Sequence, residues 1–340
     1  MIASDGPLIS VVVPAFDAER YLGATLRSLT AQTYTNFELI VVDDGSTDAT
    51  VSIVESLAER DDRVRLVRHE RNRGRSAARN RGLDEARGEW ICPTDADDLW
   101  SAERLAEIVR TAAKFPDARL MTDDLIGFTV GADGEVSLQH RFVSRSTLWA
   151  GRHHPISVRN WYLDQQCTMN PIVRRDLLDE SGARYPEAMS AGEDLAFNLE
   201  LVFARAPSNP VRIGMPLYYY RVGESTRAAN MAESQVRMIR HVLERTGNAD
   251  LDRWSRRAEP GWVFIYQRAD RQFSAAGRSA RRDAGVDDIE LVASPSAGYR
   301  RLALNKVLEV LGRLSDRSLR PGIVADITAQ LSRGAEVTGA

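Results

Sequence analysis

The sequence predicts an α/β fold built on a mostly parallel sheet with helices on both faces, and three observations lead to it. Short apolar runs alternate with helical segments from Leu8 to Pro93. Leu8 to Val13 and Phe37 to Val42 are continuously apolar, as in strands buried on both faces. Pro14 to Asp17, Asp43 to Ser46 and Asp95 to Asp98 then close three of the runs at strand carboxyl ends, where open α/β sheets bind their ligands.

The elements follow in order. Leu8 to Val13 forms a first strand stopped by Pro14, and Leu22, Leu26 and Leu29 fall at helical spacing after it. Phe37 to Val42 is a second strand. Ser46 or Thr47 can cap the next helix, whose apolar face is Val51, Val54, Leu57 and Ala58. Val64 to Val67 is a third strand, Asn72 to Gly74 a turn, Ser76 to Arg87 an Ala-rich helix, and Glu89 to Pro93 a fourth strand. Leu105, Ile108, Val109 and Ala112 mark another helix. Beyond Pro116 the pattern predicts a strand at Leu120 to Thr122, a turn at Gly131 to Gly134, a short strand and helix over Pro171 to Asp179, and a helix at Leu195 to Ala204. Val211 to Tyr220 reads as a strand in which Pro216 marks a bulge or an edge. After about Ala228 the chain reads as helical and Arg-rich.

Bulk properties narrow the function. The 340 residues carry 45 Lys plus Arg against 48 Asp plus Glu, a net charge of −3, so nothing global points to nucleic acid. Two cysteines, Cys92 and Cys167, exclude a disulfide framework and fit a reducing compartment. No apolar run reaches the roughly 20 residues that cross a bilayer, and the N-terminus lacks signal-peptide character, so a cytoplasmic protein is expected.

Asp95, Asp97 and Asp98 are the most informative residues. Carboxylates so close together repel, and burial raises their pKa values, so a hard divalent ion such as Mg²⁺ or Mn²⁺ keeps them ionised. The competing reading is that Asp97, Asp98 or Ser101 caps the following helix. Convergence of three remote strand ends favours a nucleotide or metal site. Pro14 to Asp17 holds no G-x-G-x-x-G turn, which argues against a dinucleotide-dependent oxidoreductase.

Ser10-Val11-Val12-Val13-Pro14-Ala15-Phe16-Asp17, then Leu22, Ser28-Leu29, Gln32-Thr33 and Phe37 through Asp48, resemble the opening of family 2 glycosyltransferases. The likeness continues through Asn72-Arg73-Gly74, Ala78-Arg79-Asn80-Arg81-Gly82, Gly88-Glu89-Trp90-Ile91 and Asp95-Ala96-Asp97-Asp98. Gly182, Pro186-Glu187, Gly192-Glu193-Asp194-Leu195-Ala196-Phe197 and Tyr218-Tyr219-Tyr220-Arg221 resemble that family's acceptor-side motifs, so the resemblance spans roughly residues 8 to 227.

The resemblance implies a GT-A fold and an inverting sugar transfer from a UDP-sugar, assisted by Mn²⁺ or Mg²⁺, to a saccharide or lipid-linked acceptor. It implies a nucleotide-sugar half at 1–115, an acceptor and catalytic-base half at 116–228, and a helical region at 229–340 that packs, oligomerises or touches a membrane surface. Asp97 is then the metal ligand, with Asp95 beside the donor ribose and reaching the ion through water, Ala96 between them, and Asp98 supporting the loop or the sugar. Asp44 with Pro14, Ala15 and Phe16 would hold uracil, since a carboxylate accepts the imide N–H; a turn into the next helix is the alternative for Asp43 and Asp44. Asp17 lies in the same donor-binding turn, at a position where family members often have Asn. Arg75 and Arg79 would lie along the base or diphosphate, or else be solvated helix residues.

Asp194 matches the base that takes the acceptor proton, with Glu193 and Gly192 on the acceptor; helix capping is the alternative for both acids. The sequence departs from the family after the Tyr-Arg segment, where Val222-Gly223-Glu224 offers no His. Arg221 or Arg227 would neutralise the diphosphate instead, or the loop around Ser225-Thr226 would close without a protein metal ligand. His153 and His154 read as surface groups rather than ligands. The other classes in view are a non-catalytic nucleotide-sugar binder and another metal-dependent nucleotidyltransferase. In the tail, Trp262, Phe264 and Tyr266 among Arg268, Arg271 and Arg278 offer a packing, dimer or membrane-facing surface.

Overall fold

The computed structural model describes residues 6–142, 153–158, 171–189, 191–203, 210–222, 231–251 and 320–332. Expectations for Arg227, Ser225 and Thr226, and for Trp262, Phe264 and Tyr266 with their neighbouring arginines, lie outside the described residues. The strands are β1 (Ile9–Ala15), β2 (Phe37–Asp43), β3 (Val64–Arg68), β4 (Trp90–Pro93), β5 (Leu99–Trp100), β6 (Leu120–Val130), β7 (Val136–Phe142), β8 (His154–Pro155), β9 (Ile172–Arg174) and β10 (Val211–Arg221). The helices, in chain order, are α1 (Glu19–Thr30), α2 (Thr50–Ala58), α3 (Arg75–Glu85), α4 (Arg104–Lys114), α5 (Arg175–Ser181), α6 (Glu193–Val202), α7 (Met231–Thr246) and α8 (Arg320–Ser332).

One sheet joins all ten strands in the order β3-β2-β1-β4-β9-β6-β10-β5, with β7 added on β6 and β8 on β10. The first four strands pair parallel, as their continuous apolar runs require. Side chains alternate between the two faces. Val11, Val13, Leu39 and Val41 pack with residues of α1, α2 and α4, whereas Val12, Ile40 and Val42 pack with α3, α5, α6 and α7. A third cluster forms where Ile323 and Ile327 of α8 cover Leu99, Phe128 and Tyr219. Among the described residues no helix is long and apolar enough to cross a membrane.

Local structure departs from the sequence expectations at three points. β1 runs through Pro14 to Ala15, because β4 pairs β1 only as far as Val12 and the missing N–H of Pro14 disrupts no ladder there. α2 begins at Thr50 rather than directly after Ser46 or Thr47, and neither caps it. Carboxylates from the start of α1 and from the preceding loop take the early N–H groups instead: Ala49 N–H donates to Glu19 at 2.9 Å and Thr50 N–H to Asp48 at 2.9 Å. The stretch after the acidic loop forms β5 before α4, and no side chain caps α4. The capping role considered for Asp97, Asp98 and Ser101 is therefore overturned; Arg104 N–H reaches the Ser101 carbonyl at 3.1 Å. Pro216 sits at a register shift between β10 and β6, the bulge of the two options.

Candidate active site

The site is assembled at the carboxyl ends of β1, β2 and β4. Register fixes these ends side by side, since Ala15 lies opposite Asp43 and Val12 opposite Pro93. Asp44 N–H donates to the Ala15 carbonyl at 2.8 Å and Thr94 N–H to that of Val12 at 2.9 Å, so both acidic loops leave the sheet tied to β1.

Asp17 and Asp44 lock the loops around the first two strands. Asp17 has φ 44°, a left-handed conformation that Asp tolerates better than most residues. Its Oδ1 accepts the Thr47 N–H at 2.8 Å, and its own N–H donates to Ser46 Oγ at 3.0 Å. Phe16, beside it, is 47% exposed. Asp44 is buried; Oδ1 meets His69 Nδ1 at 2.7 Å and accepts the Arg73 N–H at 2.9 Å, while Oδ2 accepts the Gly74 N–H at 2.8 Å. The local turn role falls to Asp43, whose Oδ1 accepts the Ser46 N–H, three residues on, at 3.1 Å. Gly45 has φ +80°, and a Cβ there would meet the Arg71–Asn72 backbone at 2.8 Å. Gly45→Ala should cost about 1–3 kcal/mol through strain and overpacking, read as a lower thermal midpoint. An unchanged midpoint would contradict the tight approach of these loops.

The three acids after β4 form a cluster whose ligand-type oxygens lie within 4.8 Å of one another. Burial first, and then the neighbouring Asp95 carboxylate, raises the Asp97 pKa. Asp98 is pushed well above the usual carboxylate range by burial and by Asp97, against the opposing effect of two hydrogen bonds. Those bonds come from Tyr218 Oη–H at 2.5 Å and Arg221 N–H at 2.8 Å, one to each oxygen. Asp98 is thus anchored, and Asp95 and Asp97 fit a hard divalent cation as oxygen donors whose mutual repulsion it would relieve.

Arg221 lies against this cluster. Its Nε–H donates to the Asp97 carbonyl at 2.9 Å, and its guanidinium sits 4.5 Å from the Tyr21 ring centroid and 4.7 Å from that of Phe128. Tyr218 also meets Thr94 Oγ1 at 3.0 Å, and Trp100 Nε1–H donates to the same hydroxyl at 3.1 Å. The sequence reading placed Tyr218 in an acceptor-side motif without giving it a role at the acids, and it gave no role to Thr94 or His69. A signal existed for Tyr218: period-two alternation along β10 aims it at the acids and turns Tyr219 to α8, where its hydroxyl meets Asp326 at 2.9 Å. No pattern in the sequence marks His69, because its partner Asp44 is 25 residues away.

On the opposite side, Gly192 at φ +81° turns the chain into α6, whose first two residues are Glu193 and Asp194. Neither acid caps the helix. Both pair with buried Arg79 of α3: Nη1 lies 3.2 Å from Glu193 Oε1 and also on Asp194 Oδ1, while Nη2 reaches Asp95 Oδ1 at 2.6 Å. Arg75 Nη1 stands 3.5 Å from Glu193. Burial lifts the Asp194 pKa to about 7; Arg79 opposes the rise, and Glu193 and Asp95 add to it. Arg79 thus joins the donor-loop acid to the two α6 acids. His153 and His154 stand apart: His153 Nε2 pairs with Glu107 of α4 at 2.5 Å, and His154 lies on β8 opposite Arg212.

Comparison with known proteins adds to this geometry. Residues 10–145 match the family model described as Glycosyl transferase family 2. An uncharacterised glycosyltransferase of Haemophilus influenzae is 42% identical over 99 residues, 29% of this chain and 40% of that protein, so the chain spans well under two thirds of that relative's length. Among solved structures, S. aureus TarS 1–349 in complex with UDP superposes with a TM-score of 0.56 at 24% identity, over 71% of this chain and 66% of that one. The mannosyltransferase PcManGT from Pyrobaculum calidifontis, in complex with GDP-Man and Mn²⁺, gives 0.50 at 19% identity over 96% and 87%. At these identities the two structures speak for a shared fold.

Proposed function

Given a GT-A fold whose residues 10–145 belong to glycosyl transferase family 2, we propose that this chain moves a sugar, with inversion, from a UDP-activated donor to a hydroxyl of a saccharide or lipid-linked acceptor. The observation that carries the reading is the meeting of two acid groups across Arg79: Asp95 with the donor-loop cluster on one side, Asp194 on the other. Residues 1–115 would hold the donor and 116–228 the acceptor, on one continuous sheet.

In this reading Asp194 accepts the proton of the acceptor hydroxyl as its oxygen attacks the anomeric carbon, and the bond to UDP breaks on the opposite face. A base with pKa near 7 is matched to that task. A bound Mn²⁺ or Mg²⁺, held by Asp97 with Asp95, would neutralise the charge that builds on the departing diphosphate. Arg221, held beside Asp97 and Asp98, brings fixed positive charge to the same place without a histidine. For the base, Asp44 Oδ2 accepts a single N–H from Gly74 and keeps a lone pair for the imide N–H of uracil. The UDP carried by TarS and the Mn²⁺ carried by PcManGT are in keeping with this donor and metal.

Thermal-shift measurement against UDP-, GDP- and CDP-sugars, with and without Mn²⁺, tests the reading. UDP-sugars with Mn²⁺ should raise the midpoint most, because a ligand of the folded state stabilises it by mass action. Stabilisation confined to GDP-sugars would overturn the uracil assignment. UDP binding without any turnover would favour a non-catalytic binder.

A further inference from the structure

We infer that Arg79 is the positioning residue of the transfer, a single guanidinium that holds the base Asp194 in register with the donor-loop acid Asp95. This rests on the reading of Asp194 as the base. Arg79 is 4% exposed, and its terminal nitrogens divide between two remote segments, Nη2 on Asp95 and Nη1 on Glu193 and Asp194. The planar fork fixes the angle between those bonds, so the separation of the β4 loop from the first turn of α6 is set by one rigid group. A lysine ammonium carries the same charge on a single nitrogen and cannot reproduce the fork.

The surroundings hold the fork still. The Tyr185 ring centroid lies 5.1 Å from the guanidinium carbon, and that ring stacks at 4.1 Å on Phe197 of α6. Tyr185 is itself fixed by Asn80, the residue after Arg79: Tyr185 N–H donates to Asn80 Oδ1 and Asn80 Nδ2–H to the Tyr185 carbonyl, each at 2.8 Å. An arginine meant for phosphates would present its terminal nitrogens to the donor, whereas those of Arg79 are engaged by carboxylates. Arg79 takes Oδ1 of Asp194, and Oδ2 remains for the acceptor proton.

Arg79→Lys separates positioning from support of the fold. UDP release would be followed from UDP-glucose, UDP-galactose, UDP-GlcNAc or UDP-GalNAc, whichever the unaltered protein turns over, alongside UDP affinity with Mn²⁺. We expect kcat to fall about 100-fold, as for a misplaced catalytic group, with KM and UDP affinity within about threefold. Adding Arg79→Lys to Asp194→Asn should cause no further loss. A kcat within threefold of the parent, or losses that multiply in the double variant, overturns the inference. If Arg79→Lys does not fold, Tyr185→Leu releases the guanidinium while keeping every ion pair: a tenfold fall in kcat at unchanged UDP affinity supports the inference, and an unchanged kcat overturns it. Full turnover by Asp194→Asn would instead remove the base reading itself.

Discussion

Asp194→Asn is expected to lower transfer by about 10²–10⁴-fold, the span a positioned general base contributes, while UDP affinity with Mn²⁺ stays within about twofold. The amide keeps the shape of the side chain and loses the site that takes a proton. The unaltered protein provides the second half of the result. As the proposed base, Asp194 would work ionised, and its pKa is pushed up to about 7 by burial, so kcat should climb as pH rises through that value. Well below that value the group would be mostly protonated, and the rate should fall. The variant's residual rate should lose this acidic limb. A limb unchanged in Asp194→Asn would assign the titration to another group and the base with it.

Asp97→Ala is expected to be as severe for a different reason. In the proposed reading Asp97 is a direct metal ligand, so its removal would take away the charge that stabilises the leaving diphosphate, and a loss of about 10³-fold in turnover follows if that electrostatic assistance is worth what comparable groups supply. Isothermal titration should show the Mn²⁺ dependence of UDP binding disappearing with it, a readout independent of catalysis. The pH dependence has a definite sign. Burial and Asp95 raise the Asp97 pKa, so protons compete with metal over a higher pH range than for an ordinary aspartate, and Mn²⁺ affinity should increase as pH rises. Retained Mn²⁺-dependent UDP binding in Asp97→Ala would move the metal assignment to Asp95.

The alternation of strands and helices up to Pro93 was legible because apolar periodicity is a local property of the chain. Register then follows, since a slip of one residue would turn Val11, Val13, Leu39 and Val41 to the wrong face. The helix starts were less legible. Ser46 and Thr47 have the chemistry of caps, yet α2 starts at Thr50, and Glu19, the first residue of α1 and thirty residues from Ala49 along the chain, takes the Ala49 N–H group. The two residues of β5 read as a helix approach in sequence, and become a strand because Tyr218 and Tyr219 of β10 pair with them.

By itself the sequence determined which groups are available at the carboxyl ends of the strands: acids at 44, 95, 97 and 98, and a further pair at 193 and 194 beside a glycine. Tertiary structure alone decided how they divide their work. Asp98 is anchored by Tyr218 and Arg221, Asp44 is tied to the loop at 69–74, and Arg79 stands between Asp95 and Asp194 rather than on a solvated helix face. The physical reason is that a buried charge takes its role from its partners. Those partners lie up to 123 residues away, a distance along the chain at which no local pattern records them.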